Sequence, residues 1–144
     1  MANCSDYLCG CLYFTANALS RHMGRMADVA FKETGLSPSH AFMMMLVVEK
    51  PGIAQKELAE SLSLAPSTLT RFADKLVHQG YVEREHKGKS VRISPTAEGK
   101  AILPSIEKAW KRLYKDYSAI LGEQHGKELT RIIDQANRRL EDLA

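Results

Sequence analysis

Ser67, Thr70, Arg71 and Lys75 are the residues of this 144-residue chain whose types and spacing best suit a polyanion. On a helix opened by Pro66, the residues Leu69, Phe72, Ala73 and Leu76 fall at i, i+3, i+4 and i+7 and form an apolar stripe. Ser67, Thr70, Arg71, Asp74, Lys75 and His78 then point away from that stripe. Hydroxyls can bond phosphate oxygens or base edges, and a guanidinium matches guanine O6 and N7 as a two-pronged donor. The unpaired amides at such a helix's N-terminus favour a phosphate as well. A solvated amphipathic helix would carry the same pattern, so this helix alone leaves both readings open.

A second set of cations lies just downstream. Arg84, Lys87, Lys89 and Arg92 face only Glu85 across 84–92, a local excess of three positive charges in nine residues. The whole chain has 20 basic and 17 acidic side chains, and its net charge of +3 is weak evidence for a partner. A basic tip on a small domain is the more specific signal.

Cys4, Cys9 and Cys11 form the other chemically suggestive group. Three cysteines so close together do not make a disulfide framework. Zinc ligation by Cys4, Cys9, Cys11, His22 and His40 lacks any C-x-x-C or H-x-x-x-H spacing. Cys9 and Tyr13 are four apart, hence on one face of a helix. Catalysis has little support: there is no glycine-rich phosphate loop, and His22, His40, His78, His86 and His125 are scattered. No cofactor is expected.

The elements that position these groups are mainly helical. Leu8, Leu12, Ala16, Leu19, Met23, Met26 and Ala30 form one stripe on a helix predicted from Ser5 to Thr34, about 45 Å long and closed by Gly35. A helix that long is expected to pack on a second subunit. Ser37-Pro38 opens the next helix and Pro51-Gly52 closes it, with Ala41, Phe42, Met45, Leu46 and Val48 expected inward. The run Met43-Met44-Met45 reads as core filler. Gln55 to Leu62 makes a short helix, Ser63-Leu64-Ala65 a tight turn, and Pro66 to about Gln79 a second helix stopped by Gly80. That is a helix-turn-helix.

From Tyr81 the period changes to two. Tyr81–Arg84 and Ser90–Ile93 alternate about a turn of His86-Lys87-Gly88-Lys89, a hairpin with a cationic tip. Thr96 caps a further helix carrying Ile102, Ile106, Trp110, Leu113, Tyr117 and Ile120, which Pro104 should kink. Gly122 breaks it, and Leu129, Ile132, Ile133, Ala136, Leu140 and Leu143 mark a last helix. Helix, turn, helix and basic hairpin in that order is the layout of a winged helix-turn-helix: a mainly α fold with a small β-hairpin wing. The longest apolar run, Ala41 to Val48, is too short to span a membrane, and the N-terminus lacks the marks of a signal peptide. A cytoplasmic protein is expected.

The stretch "QKELAESLSLAPSTLTRFADKLVHQGYVERE" (55–85), followed by "RISPTAEGKAIL" (92–103), resembles the multiple-antibiotic-resistance regulator (MarR) family. The resemblance implies a homodimer joined by its terminal helices, and binding of double-stranded DNA at a pseudo-palindromic operator. On that basis 1–36 is a dimerisation helix, 37–100 the DNA-binding region and 101–144 the C-terminal dimerisation helices. It also implies that Pro66, Ser67, Thr68, Thr70 and Arg71 face DNA with Lys75 nearby, and that Gln55 and Lys56 approach phosphates. Arg84, Lys87, Lys89 and Arg92 would serve the wing. The family's wings are usually longer and carry an Asp-x-Arg tip. Here the tip is His86-Lys87-Gly88-Lys89, so phosphate contact by lysine is expected in its place.

"LCGCLYFT" (8–15) is similar to the reactive-cysteine segment of the family's organic-hydroperoxide-sensing branch. Carried over, Cys9 is the oxidisable thiolate and Tyr13 its hydrogen-bond partner. The alternative trigger is a small apolar or phenolic effector. The alternative function is a winged helix used for protein contact without DNA.

Overall fold

The computed structural model describes residues 5–143. In chain order they form α1 (Asp6–Cys9), α2 (Leu12–Phe31), a 3-10 turn (Lys32–Thr34), α3 (Pro38–Glu49), β1 (Ile53–Ala54), α4 (Gln55–Ser61) and α5 (Pro66–His78). The hairpin strands β2 (Val82–Lys87) and β3 (Ser90–Pro95) follow, then α6 (Ala97–Ala101), α7 (Leu103–Leu121) and α8 (Glu123–Glu141). The chain clusters into two compact units. One is Ala27–Trp110, wider at both ends than the expected 37–100 segment; the other joins the residues up to Met26 with those from Lys111.

The Ala27–Trp110 unit holds the larger core. Phe31, Met43, Met44, Val47, Leu58, Leu69, Leu76, Ile93 and Ile106 are its largest fully buried side chains. The inward face of α3 is therefore Ala41, Met43, Met44 and Val47, with Phe42, Met45, Leu46 and Val48 only half-buried. That corrects the expected face: a helix apolar almost all round gives no stripe from which to read its orientation. Ser37 caps α3 by accepting the His40 amide, and Gly35 takes the left-handed conformation at φ 73° that ends the preceding turn.

The sheet has three antiparallel strands in the order β1-β3-β2, one more than the sequence suggested. A two-residue strand is too short for period-two alternation to reveal it. Ile53 pairs with Ile93 in β3, and Arg84 of β2 pairs with the same Ile93. The hairpin turn is narrower than expected: His86 and Lys87 lie within β2, which leaves Gly88-Lys89 as the loop, with Gly88 at φ 61°. A two-residue loop with glycine first suits the twist of its flanking strands.

Thr96 closes the base of the wing. Its Oγ1 accepts the Gly99 amide at 3.1 Å, capping α6, and donates to the Gly80 carbonyl at 2.6 Å. The helix predicted from Thr96 to Ile120 divides at Ile102 into α6 and α7, with Pro104 in the first turn of α7.

In the other unit, the single helix predicted from Ser5 to Thr34 is interrupted. α1 ends at Cys9, Gly10 caps it, and α2 starts only at Leu12. Glycine costs a helix interior about 1 kcal/mol relative to alanine, which favours a break at Gly10. Gly122, at φ 87°, separates α7 from α8. The Tyr117 ring lies against α8 at Gly126, where a Cβ would sit 3.7 Å from Tyr117 Cε1, an ordinary contact. Leu12, Ile120 and Leu140 remain 72%, 74% and 58% exposed.

Candidate nucleic-acid interface

The interface candidate is built on α4, α5 and the β2–β3 wing, all within the Ala27–Trp110 unit. α4 and α5 are joined by Leu62–Ala65, where Ser63 adopts φ 54° and the Leu64 amide donates to Ala59 O at 2.9 Å. Pro66 starts α5, its fixed φ suiting the first helical position. Leu69, Ala73 and Leu76 are buried, which anchors the helix by one face. Pro66, Ser67, Thr70, Arg71 and Lys75 are exposed on the other, and Thr68 is half-buried. The orientation expected from the apolar spacing is the one the helix adopts.

Several of these side chains are already engaged. Gln55 Nε2 donates to Thr70 Oγ1 at 2.9 Å, and Thr70 Oγ1 donates to Pro66 O at 3.0 Å. Arg71 Nη2 approaches Thr68 Oγ1 at 3.5 Å, a weak contact that leaves most of the guanidinium available. Lys56 is exposed at the start of α4.

The four wing cations do not form one surface. Val82, Arg84 and His86 alternate with Glu83, Glu85 and Lys87, and Arg84 shares the face of its cross-strand partner, the buried Ile93. Arg84 is therefore turned toward α5, where its Nη2 donates to the carboxylate of Asp74. Its Nε is buried without a hydrogen-bond partner among the described residues. Arg92 lies on the opposite face, and its Nη1 donates to Gly52 O at 3.3 Å. Lys87 and Lys89 are exposed at the tip. Grouping the four by sequence proximity thus missed the alternation that separates them. The signal for the Arg84 partner was present: Asp74 stood alone as an acid on a face otherwise suited to phosphate.

His40 was likewise unassigned. It is 8% exposed on α3 and stacks on the Phe72 ring of α5 with centroids 4.1 Å apart. Burial, and then the charge of Lys75, push its imidazole below the ordinary value. Its Nδ1 is hydrogen-bonded to Ser37 Oγ.

Cys9 and Tyr13 do not share one continuous helix. They lie on different helices, α1 and α2, on either side of the Gly10 break. Cys11 is a free thiol. Cys4 lies outside the described residues. Among the described residues no group of three metal-ligating side chains is assembled.

Residues 36–93, the segment that carries α3 to β3, match the MarR family. Among its relatives is the uncharacterised HTH-type transcriptional regulator YybA of Bacillus subtilis (strain 168), 27% identical over 93 residues. That match takes in 62% of this chain and 62% of YybA, less than two thirds of either. The fold resembles the transcriptional repressor CouR bound to p-coumaroyl-CoA, with a TM-score of 0.85 at 18% identity, covering 96% of this chain and 99% of CouR. It also resembles the Mycobacterium tuberculosis regulator MosR in complex with DNA, at 22% identity with a TM-score of 0.81, covering 92% and 98%. At such identities the likeness establishes the winged-helix fold of this chain.

Proposed function

We propose that this chain is a homodimeric, sequence-specific DNA-binding transcriptional regulator of the MarR family, a cytoplasmic repressor released from its operator by a small-molecule or oxidant effector. The observation that carries the reading is the pairing of an exposed polar face on α5 with an exposed lysine tip on the adjoining wing. Ser67, Arg71 and Lys75 suit a major groove, and Lys87 and Lys89 suit the phosphates beside it. Arg84 and Arg92 act from within, holding the wing to Asp74 and to the Gly52 loop.

The unit built from the chain's ends supports dimerisation. Leu12, Ile120 and Leu140 are apolar side chains on long amphipathic helices that the described residues leave mostly exposed, and a second copy is the partner that would bury them. In such a dimer the two α5 helices would enter successive major grooves about 34–36 Å apart. CouR, a repressor of this fold that is also known bound to a 23-mer DNA duplex, binds p-coumaroyl-CoA. That supports release by an acyl or phenolic molecule. No helix among the described residues is long and apolar enough to cross a membrane.

Fluorescence anisotropy tests the reading. A duplex from upstream of the chain's own gene should bind with a steep salt dependence and outcompete random DNA. Titration of the bound complex with p-coumaroyl-CoA, and separately with an organic hydroperoxide, asks which chemistry releases it. Salt-insensitive binding, or none, would move the winged helix to protein contact.

A further inference from the structure

The hydrogen bonds around Thr70 leave its hydroxyl with nothing to donate. A threonine hydroxyl carries one proton and two lone pairs. The proton goes to the Pro66 carbonyl at 3.0 Å, the back-bond that a threonine within a helix makes to the residue four earlier. One lone pair receives the Gln55 amide at 2.9 Å. Because Oγ1 can then only accept, Gln55 must turn Nε2 toward it, which fixes the orientation of that amide as well. Thr70 cannot donate to guanine N7 or O6, to thymine O4 or to a phosphate without breaking a bond within the helix.

The side chain is nonetheless exposed, one turn into α5 and beside Arg71. With its proton and one lone pair held, Oγ1 keeps a single lone pair to accept with, and the group that remains wholly unengaged is the Cγ2 methyl. The one base edge in the major groove that offers an apolar group is that of thymine, through its C5-methyl. We propose that Thr70 determines specificity through its methyl group, reading a thymine 5-methyl at one position of each half-site. Gln55 acts as a positioning residue that locks the Thr70 rotamer from the N-terminus of α4. The proposal rests on the DNA-binding reading above.

The test uses duplexes that the full-length protein enriches from a random-sequence pool, with each thymine replaced singly by deoxyuridine. That replacement removes a methyl and leaves every hydrogen-bonding group in place. One position per half-site should then bind about fourfold more weakly, the value of one buried methyl. Thr70→Ser keeps the hydroxyl and its two bonds but lacks the methyl; it should bind the thymine duplex as wild type binds the uracil one, without distinguishing them. Thr70→Val keeps a methyl and loses the hydroxyl, and should retain the thymine preference. Wild-type indifference to deoxyuridine at every position overturns the proposal, as does a thymine preference that survives in Thr70→Ser and fails in Thr70→Val. A pool that yields no enriched sequence overturns the DNA-binding reading and this one with it, and is distinguished from the first outcome by the enrichment step itself.

Discussion

Arg84 on β2 and Asp74 on α5 form an ion pair that ties the wing to the helix beside it. The arginine side chain is 25% exposed and the aspartate 59%, so the two partners are not equivalent. Removing Asp74 strands a largely buried guanidinium whose Nε already lacks a partner among the described residues, whereas removing Arg84 leaves a carboxylate that water can solvate.

Asp74→Ala should therefore destabilise the chain by about 1 kcal/mol, more than Arg84→Met does. The double variant should recover part of the loss, with a coupling of about 0.5–1 kcal/mol by urea unfolding. In DNA binding two effects oppose each other. Loss of an acid near phosphates raises nonspecific affinity, while loss of the tie lets the wing drift from its place beside α5. The ratio of specific to nonspecific affinity should fall several-fold in Asp74→Ala. A ratio that stays constant, with both affinities raised equally, would leave the pair an electrostatic role only.

His40 gives the pH dependence. Its imidazole is buried between Ser37 and Phe72, with Lys75 on the adjoining helix, so the folded state resists protonation. The unfolded chain takes up a proton near the ordinary value of 6.5, and the folded chain does so only at lower pH. Between those values the unfolded state binds more protons, so stability falls as pH falls. The His40 contribution is fully present above 6.5 and is lost as pH drops through the folded-state value. The thermal midpoint of wild type should decline from pH 7.5 to 5.5 more than that of His40→Phe. An NMR titration placing the His40 pKa above 6.5 would reverse the sign.

Gly99 marks the closest backbone approach in the wing base. A Cβ there would lie 2.0 Å from Tyr81 O and 3.0 Å from Met44 Cε. The carbonyl cannot move aside, since it accepts the Thr96 amide at 3.0 Å. Gly99→Ala should cost about 2–4 kcal/mol through overpacking against fixed backbone. Thermal unfolding measures it; a shift within error of wild type would mean that α6 slides along β3 more freely than its cap bonds suggest.

The sequence carried most of this architecture because the punctuation residues agree with the pattern. Ser37-Pro38, Pro66, Gly80, Thr96 and Gly122 each begin or end an element where their backbone preferences require it. What stayed hidden has physical reasons. α3 is apolar on most sides, so periodicity could not say which methionines point inward. β1 is too short to alternate, and pairs only because β3 offers it an edge. The expectation that Cys9 and Tyr13 share one helix face assumed a continuous helix, and the break at Gly10 places them on α1 and α2. At the candidate interface, which residues face outward was legible on α5. Which of them are already hydrogen-bonded was not, because Gln55 and Thr70 meet across a turn, fifteen residues apart in sequence.

The wing tip makes the last prediction. Lys87 and Lys89 are the exposed cations of the hairpin, while Arg84 and Arg92 each donate to a group of their own chain. Ammonium groups are point charges that cannot form the two-pronged contacts of arginine, so their role at a duplex would be phosphate neutralisation. Lys87→Ala combined with Lys89→Ala should weaken binding by the same factor for specific and random duplexes. It should also flatten the plot of log affinity against log salt by about one unit for each lysine that meets a phosphate. Arg92→Ala should behave differently, since it releases the Gly52 carbonyl and loosens β3 from the loop before β1; stability should fall while the salt slope changes little. If the double lysine variant lost affinity only for the specific duplex, with the salt slope unchanged, the tip would be reading sequence or groove width.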